Sequence, residues 1–381
     1  MNHSLLHPRL RRSVSRRVTG ALAVLVACSG ILAPAAQAEE YTTAAPSGAV
    51  KGIPRSTARG AIETNGVEGP IAYSLAQAKW NEYYAGYQPL IPQGTNNPEC
   101  KVTPEHPEAI IMVHGTVSSF YGDYSNMGAR LAQEGWCVFG IDYGAGPRSE
   151  DGFGWTSLTE SVKQLDAAIA AARATSGAQK VSLVGYSQGS ALARYWANKV
   201  DKGQHTATVV GIGTPTRGAT VRGLTNLIPY LPPQVRDFAL SPSLLDLVAG
   251  SAFVTMLNEG GETVPGVDYL TINSNFDEVV ADLELKAVQG ERARNLILQD
   301  LCPNTFTDHL YITYDPLTID TVSRVLVDPD SGAAPDRPQC QPVPLGYGIP
   351  DIAYVAYLRK LGFLPGMQAA VTYGPGQGEL L

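Results

Sequence analysis

From about residue 108 the chain alternates short apolar runs with stretches of helical period. The runs AIIMV (109–113), CVFGI (137–141), VSLV (181–184) and ATVVGI (207–212) lack the in-and-out alternation of a strand with one wet face. They predict strands buried on both sides. Two later runs, DYLTIN (268–273) and RNLILQ (294–299), predict two more. Between them lie helical patterns. Tyr124, Met127 and Leu131 mark one face of a helix over 122–134, and Val162, Leu165, Ile169 and Ala172 mark one over 158–173. Ser157 and Glu160 have the spacing of a capping box at the start of the second. A third helix over 188–200 would turn Leu192, Tyr195, Trp196 and Val200 inward. Buried strands alternating with helices predict a mostly parallel sheet with helices on both faces, an α/β fold.

The flanks differ. Residues 39–70 are rich in Ala, Gly, Thr and Pro and are expected to be a loosely ordered lead-in. The aromatic-rich stretch 71–90 is expected to be helical, and a catalytic domain is drawn over 71–345. Within it, the leucine- and proline-rich segment 214–266 is long for a connection. Leu224, Leu227, Ile228, Leu231, Phe238 and Leu240 would let it cap a site and receive an apolar chain. Packing as extra core is the plainer alternative. A C-terminal extension, 346–381, carries the apolar stretch IAYVAYLRKLGFL.

The N-terminus reads as an export signal. Arg9, Arg11, Arg12, Arg16 and Arg17 precede an apolar run, and Ala36-Gln37-Ala38 is an A-x-A site, placing cleavage before Glu39. Leu25-Val26-Ala27-Cys28 is a competing lipoprotein box that would anchor the chain through Cys28, and Arg16-Arg17 raises twin-arginine export. Beyond the signal, no apolar run reaches the ~18 residues of a membrane span. Loss of 1–38 removes five arginines and no acid, taking the net charge from −7 to −12. So acidic a surface argues against nucleic acid as a partner. Four cysteines remain, Cys100, Cys137, Cys302 and Cys340. In an exported chain they predict two disulfides. Three pairings are possible; nearness in sequence favours 100–137 and 302–340. Zinc is disfavoured, as no CxxC pair or His-x-x-His spacing is present.

VGYSQG (184–189) places Ser187 between Gly185 and Gly189, where the strand at 181–184 gives way to a helix. A serine on so sharp a turn is thrust out at the C-terminal edge of the sheet, with a helix N-terminus behind it. A hydroxyl needs a base, and histidine is scarce. His3 and His7 lie in the signal, His106 precedes the core strands, His205 falls at the wrong edge, and His114 sits in VHGT. That leaves His309. A carboxylate must fix its tautomer, and Asp277 follows the strand 268–273 at the right edge. Glu278 is expected to point elsewhere, and Asp282 to lie further along a helix. Two N–H donors are needed for an oxyanion. The backbone of Gln188 and that of Thr116, after the strand 109–113, are in position, with His114 orienting the loop.

Together these residues resemble the α/β-hydrolase family, and more narrowly the secreted class 2 lipases of actinobacteria. The resemblance rests on VHGT (113–116), CVFGIDYG (137–144), VGYSQG, GIGTPTRG (211–218), NFDEVV (275–280) and DHL (308–310), and spans roughly 95–342. It implies Ser187, Asp277 and His309 as the triad and Thr116 and Gln188 as oxyanion donors. It also implies disulfides Cys100–Cys137 and Cys302–Cys340, no cofactor, and hydrolysis of carboxylic esters with an apolar acyl chain. The expected partners are a lipid ester and a lipid–water interface, and the chain is expected to act as a monomer. An acyltransferase of the same fold would share every one of these residues and differ in its acceptor. A non-catalytic lipid-binding protein on this scaffold is a further alternative. A peptidase finds no marker of a peptide-binding pocket.

Overall fold

A computed structural model describes residues 66–85, 89–146, 153–219, 241–329 and 340–348. The export signal, the lead-in, residues 220–240 of the long insert and the tail beyond 348 lie outside the described residues, so the expectations placed on them have no structural counterpart here. Among the described residues, two short strands come first. β1 (Val67–Glu68) pairs in parallel with β2 (Leu90–Ile91), and α1 (Leu75–Tyr84) runs between them.

The principal sheet is built from β3 (Ala109–Val113), β4 (Cys137–Ile141), β5 (Val181–Tyr186), β6 (Thr206–Ile212), β7 (Asp268–Asn273) and β8 (Ala293–Ile297). Their order is β4-β3-β5-β6-β7-β8, and every pairing is parallel. The strand predictions at 109–113, 137–141 and 268–273 coincide with the observed bounds. The last strand is shorter than predicted, because Leu298–Leu301 turns into a short helix, α7.

Helices cover both faces. On one side α3 (Leu158–Ser176), α4 (Gln188–Tyr195) and α6 (Ala252–Asn258) seal Ile111, Phe139, Leu183 and Val209 under Leu165, Ile169, Leu192, Trp196 and Phe253. On the other, α2 (Phe120–Gln133) and α8 (Pro316–Val327) cover Ile110, Met112, Val184, Val210, Leu270 and Ile272 with Tyr124, Met127, Leu131, Val322 and Val325. Alternate residues of each strand thus feed opposite cores, which is why the strands read as unbroken apolar runs.

Several local details differ from expectation. The third predicted helix ends at Tyr195, and Trp196–Val200 continues as a π-turn that carries Val200 outward, 44% exposed. The capping box at α3 is half formed. Ser157 Oγ accepts from Glu160 N at 3.4 Å, but the Glu160 carboxylate turns to Lys163 at 2.8 Å. Asp282 precedes a single 3-10 turn, Leu283–Leu285, rather than lying on a helix. The described part of the long insert holds α6 and the five-residue α5 (Pro242–Asp246). The sulfur atoms pair as Cys100–Cys137 and Cys302–Cys340, with Cα separations of 5.7 and 5.4 Å.

Chain order reverses at the β3/β5 pair: the chain leaves β3 for β4 on one side and leaves β5 for β6 on the other. At such a switch point, loops diverge above the C-terminal ends of the strands and leave a crevice. The loops carrying Thr116 and Ser187 rise from these two strands, where Val113 and Gly185 are paired in register.

Candidate active site

Ser187 sits between β5 and α4 with φ 50° and ψ −121°, a conformation a non-glycine residue holds only when its surroundings over-determine it. The flanking glycines have two different reasons. A Cβ on Gly185 would meet Gly189 O and Ser190 Cα, both at 2.5 Å, across the turn. A Cβ on Gly189 would instead strike the neighbouring strand, 2.0 Å from Val113 O.

The structure brings Ser187, His309 and Asp277 into one hydrogen-bonded chain. Ser187 Oγ lies 2.9 Å from His309 Nε2, and His309 Nδ1 lies 2.8 Å from Asp277 Oδ2. The other carboxylate oxygen of Asp277 accepts from the backbone N–H groups of Val279 (3.0 Å) and Val280 (2.7 Å). Both oxygens are therefore committed, and Nδ1 of the ring must be the donor. Burial by itself would raise the Asp277 carboxyl; the His309 charge and hydrogen bond, with help from Lys286 and the Val280 N–H, outweigh it and hold the group below its ordinary value. Burial pushes the His309 ring down, but the Asp277 carboxylate beside it prevails and raises the net value.

Glu278 does not point away. Its Oε2 accepts from the backbone N–H of His309 at 3.0 Å, so the two adjacent acids grip the same residue, one by its ring and one by its main chain. Tyr186 at the end of β5 donates its hydroxyl to His309 O at 2.7 Å, its ring centroid 5.2 Å from the imidazole. Ser274 Oγ reaches Thr307 O at 2.5 Å, tying the acid turn to the histidine loop. Tyr186 and Ser274 carry no distinguishing sequence signal; only the fold places them.

Thr116 and Gln188 face one another across the crevice. Thr116 Oγ1 donates to Gln188 Oε1 at 2.8 Å, while Gln188 Nε2 donates to Tyr143 Oη (3.2 Å) and Gly154 O (3.1 Å). The backbone N–H groups of both residues have no hydrogen-bond acceptor among the described residues. Gln188 is the first residue of α4, where an N–H has no partner within the helix. The Thr116 loop is pinned from below. Asp123, in the first turn of α2, accepts from Gly115 N (2.7 Å) and Ser118 Oγ (2.6 Å); burial raises its carboxyl to about 6. His114 is fully buried and bonded through Nδ1 to Gly115 O (2.7 Å), and its Nε2 accepts from Tyr143 N (3.2 Å). Burial drives its value down to about 3, so the ring is neutral. Its two ring nitrogens are thus both held by backbone groups, one of them in the Thr116 loop. His205 lies at the N-terminal end of β6, bonded to Asp201, and His106 packs at a tilt against Trp136, ring centroids 4.2 Å apart; neither is in the crevice. Among the described residues no group of His, Cys, Asp and Glu has the arrangement of a metal site.

Residues 104–233, less than half of the chain, match the model of a hydrolase family described as serine aminopeptidase, S33. No curated protein sequence gives a significant match. Among solved structures, lipase B of Aspergillus fumigatus aligns at TM-score 0.52 and 18% identity, over 76% of this chain and 68% of its own. The mature form of a Bacillus licheniformis lipase aligns at TM-score 0.44 and 18% identity, over 59% and 94%. An esterase from Exiguobacterium antarcticum aligns at 0.43 and 14%, over 58% and 92%. With its parallel six-stranded sheet and helices on both faces, the chain has the α/β-hydrolase fold.

Proposed function

We propose that the chain is a serine ester hydrolase acting on lipid esters of the triacylglycerol type, with Ser187, His309 and Asp277 as its triad. The observation that carries this reading is the unbroken relay from Ser187 Oγ through His309 to Asp277, 2.9 and 2.8 Å long, together with the two backbone N–H groups, of Thr116 and Gln188, that have no acceptor among the described residues. Ser187 Oγ attacks the ester carbonyl carbon while His309 Nε2 takes the hydroxyl proton. The carbonyl oxygen becomes an oxyanion and is met by the N–H groups of Thr116 and Gln188. Collapse expels the alcohol, protonated by His309, and leaves an acyl-enzyme. His309 then deprotonates a water, which attacks the acyl carbon and releases the acid and Ser187. Asp277 holds the Nδ1–H tautomer throughout and stabilises the transient imidazolium. No cofactor enters.

The apolar acyl chain is supported by the loops that carry the triad. Val279, on the Asp277 turn, is half exposed, and Phe306, three residues before His309, is partly exposed and packs edge-on against Phe276 with centroids 4.8 Å apart. A rim of this kind suits a lipid–water interface. The family match raises amide hydrolysis by the same triad. An aminopeptidase must also neutralise a substrate ammonium, yet Asp277 and Glu278 are both committed to His309. Two disulfide-bonded pairs and the N-terminal signal support export.

The test is turnover of p-nitrophenyl esters from acetyl to palmitoyl, with amino-acid p-nitroanilides and an added alcohol acceptor as parallel arms. Rates that rise with chain length and vanish in Ser187→Ala are expected. Dominant transfer to the alcohol would reassign the chain as an acyltransferase, dominant anilide cleavage as a peptidase. No turnover in any arm would overturn the hydrolase reading.

A further inference from the structure

Lys286 lies between β7 and β8, just after the 3-10 turn, and its side chain is 1% exposed. A lysine so deeply buried needs a compensating partner. Its Nζ donates to Ser274 O at 2.9 Å and stands 3.7 Å from Asp277 Oδ2, the oxygen that accepts from His309. Its main chain is clamped as well. Lys286 O accepts from Thr214 Oγ1 (2.8 Å) and Thr216 Oγ1 (2.7 Å), both on the loop after β6. Thr214 N in turn donates to Asn273 Oδ1 at 3.0 Å. The ammonium is thus delivered to one place, beneath the turn from Ser274 to Asp277, by contacts to two neighbouring strand ends.

We propose that Lys286 is a positioning residue for the triad, its ammonium bracing the Ser274–Asp277 turn and offsetting the charge on the same Asp277 oxygen that accepts from His309. This rests on the reading of Ser187, His309 and Asp277 as a triad. The ionisable groups around the pair are Asp277, Glu278 and Asp282 on the stretch following β7, His309 on the loop after α7, and Tyr186 on β5 behind the ring. Asp277 and Glu278 favour the protonated ring; Lys286 is the cation that opposes it. Taking the ammonium away leaves the carboxylates unopposed, so the imidazolium becomes easier to form. The base then stays protonated to a higher pH. A purely structural lysine would lower activity or stability without moving that titration.

The experiment uses three variants of the full chain. Lys286→Met removes charge and donor, Lys286→Gln removes the charge and keeps a donor for Ser274, and Lys286→Arg keeps the charge. The His309 ring is titrated by NMR in a Ser187→Ala background, and the acid limb of kcat/KM for a p-nitrophenyl ester is followed with Ser187 intact. Both are expected to move upward by roughly one pH unit in the Met and Gln variants and to stay near wild type in the Arg variant. Two charge-free variants are included so that one that folds suffices. An unmoved ring titration in either folded charge-free variant overturns the proposal, whatever its activity. A moved titration in a protein that turns over no ester would uphold Lys286 and refute ester hydrolysis instead.

Discussion

Replacing Asp277 by asparagine separates the two adjacent acids. The carboxylate accepts from Val279 N and Val280 N on one oxygen and from His309 Nδ1 on the other. An amide can satisfy only one side. If its oxygen turns to His309, two buried N–H groups face an NH2, at about 1–3 kcal/mol each. The amide oxygen therefore stays with the backbone and its NH2 faces the ring. Nδ1 must then accept, the ring proton moves to Nε2, and Ser187 Oγ meets a donor where it needs an acceptor. A triad held in the wrong tautomer loses roughly 10⁴ in kcat, about 5.4 kcal/mol of transition-state stabilisation. Glu278→Gln is the control, since the amide oxygen can still accept from His309 N; its loss should stay under about tenfold. Initial rates on p-nitrophenyl butyrate at pH 8, with thermal melts to confirm folding, measure both. An Asp277→Asn enzyme within tenfold of wild type, or a Glu278→Gln enzyme as damaged as Asp277→Asn, would refute the assignment of the acid.

Other outcomes follow from the same geometry. Protonated His309 has no lone pair on Nε2 to take the serine proton, and although burial pushes the ring down the Asp277 carboxylate holds it above the ordinary imidazole range, so kcat/KM should fall on the acid side with an inflection above that of a free imidazole; an inflection below it would contradict the reasoning. His114, held near 3, should show a flat NMR titration from pH 5 to 8. Gly189→Ala sets a methyl against Val113 O, a backbone atom with little freedom to retreat; a drop in melting temperature equivalent to about 3 kcal/mol or more, or insoluble protein, is expected. Thr116→Val strips the donor from the buried Gln188 Oε1. It should cost about 1–3 kcal/mol in denaturant unfolding and lower kcat.

The sheet was legible because each central strand is buried on both faces, so burial appears directly as an apolar run. Ser187 was legible because two fixed neighbours exclude side chains, Gly185 across the turn and Gly189 against the adjacent strand. The α8 helix went unread although it carries its own signals: Asp315 caps it, Pro316 opens it, and Leu317, Ile319, Val322, Val325 and Leu326 are buried. The two-residue strands β1 and β2 are too short to show any period. Glu278 was misplaced by the assumption that neighbours in sequence point apart. At Asp277 the carboxylate folds back onto Val279 N and Val280 N, and in that turn both acids come to face one loop. Lys286 could not be singled out, since nothing in a sequence separates a buried lysine from a solvated one.

The backbone of Ser187 has a consequence for how such a chain would drift. At φ 50° and ψ −121° it occupies ground natural to glycine, at a cost of about 1–3 kcal/mol. A Ser187→Gly substitution would relax that strain, so the protein without the hydroxyl should fold more firmly than the one that carries it. Selection for stability alone would therefore remove the hydroxyl. A lineage that keeps a serine there is one in which the reaction, rather than the scaffold, is under selection.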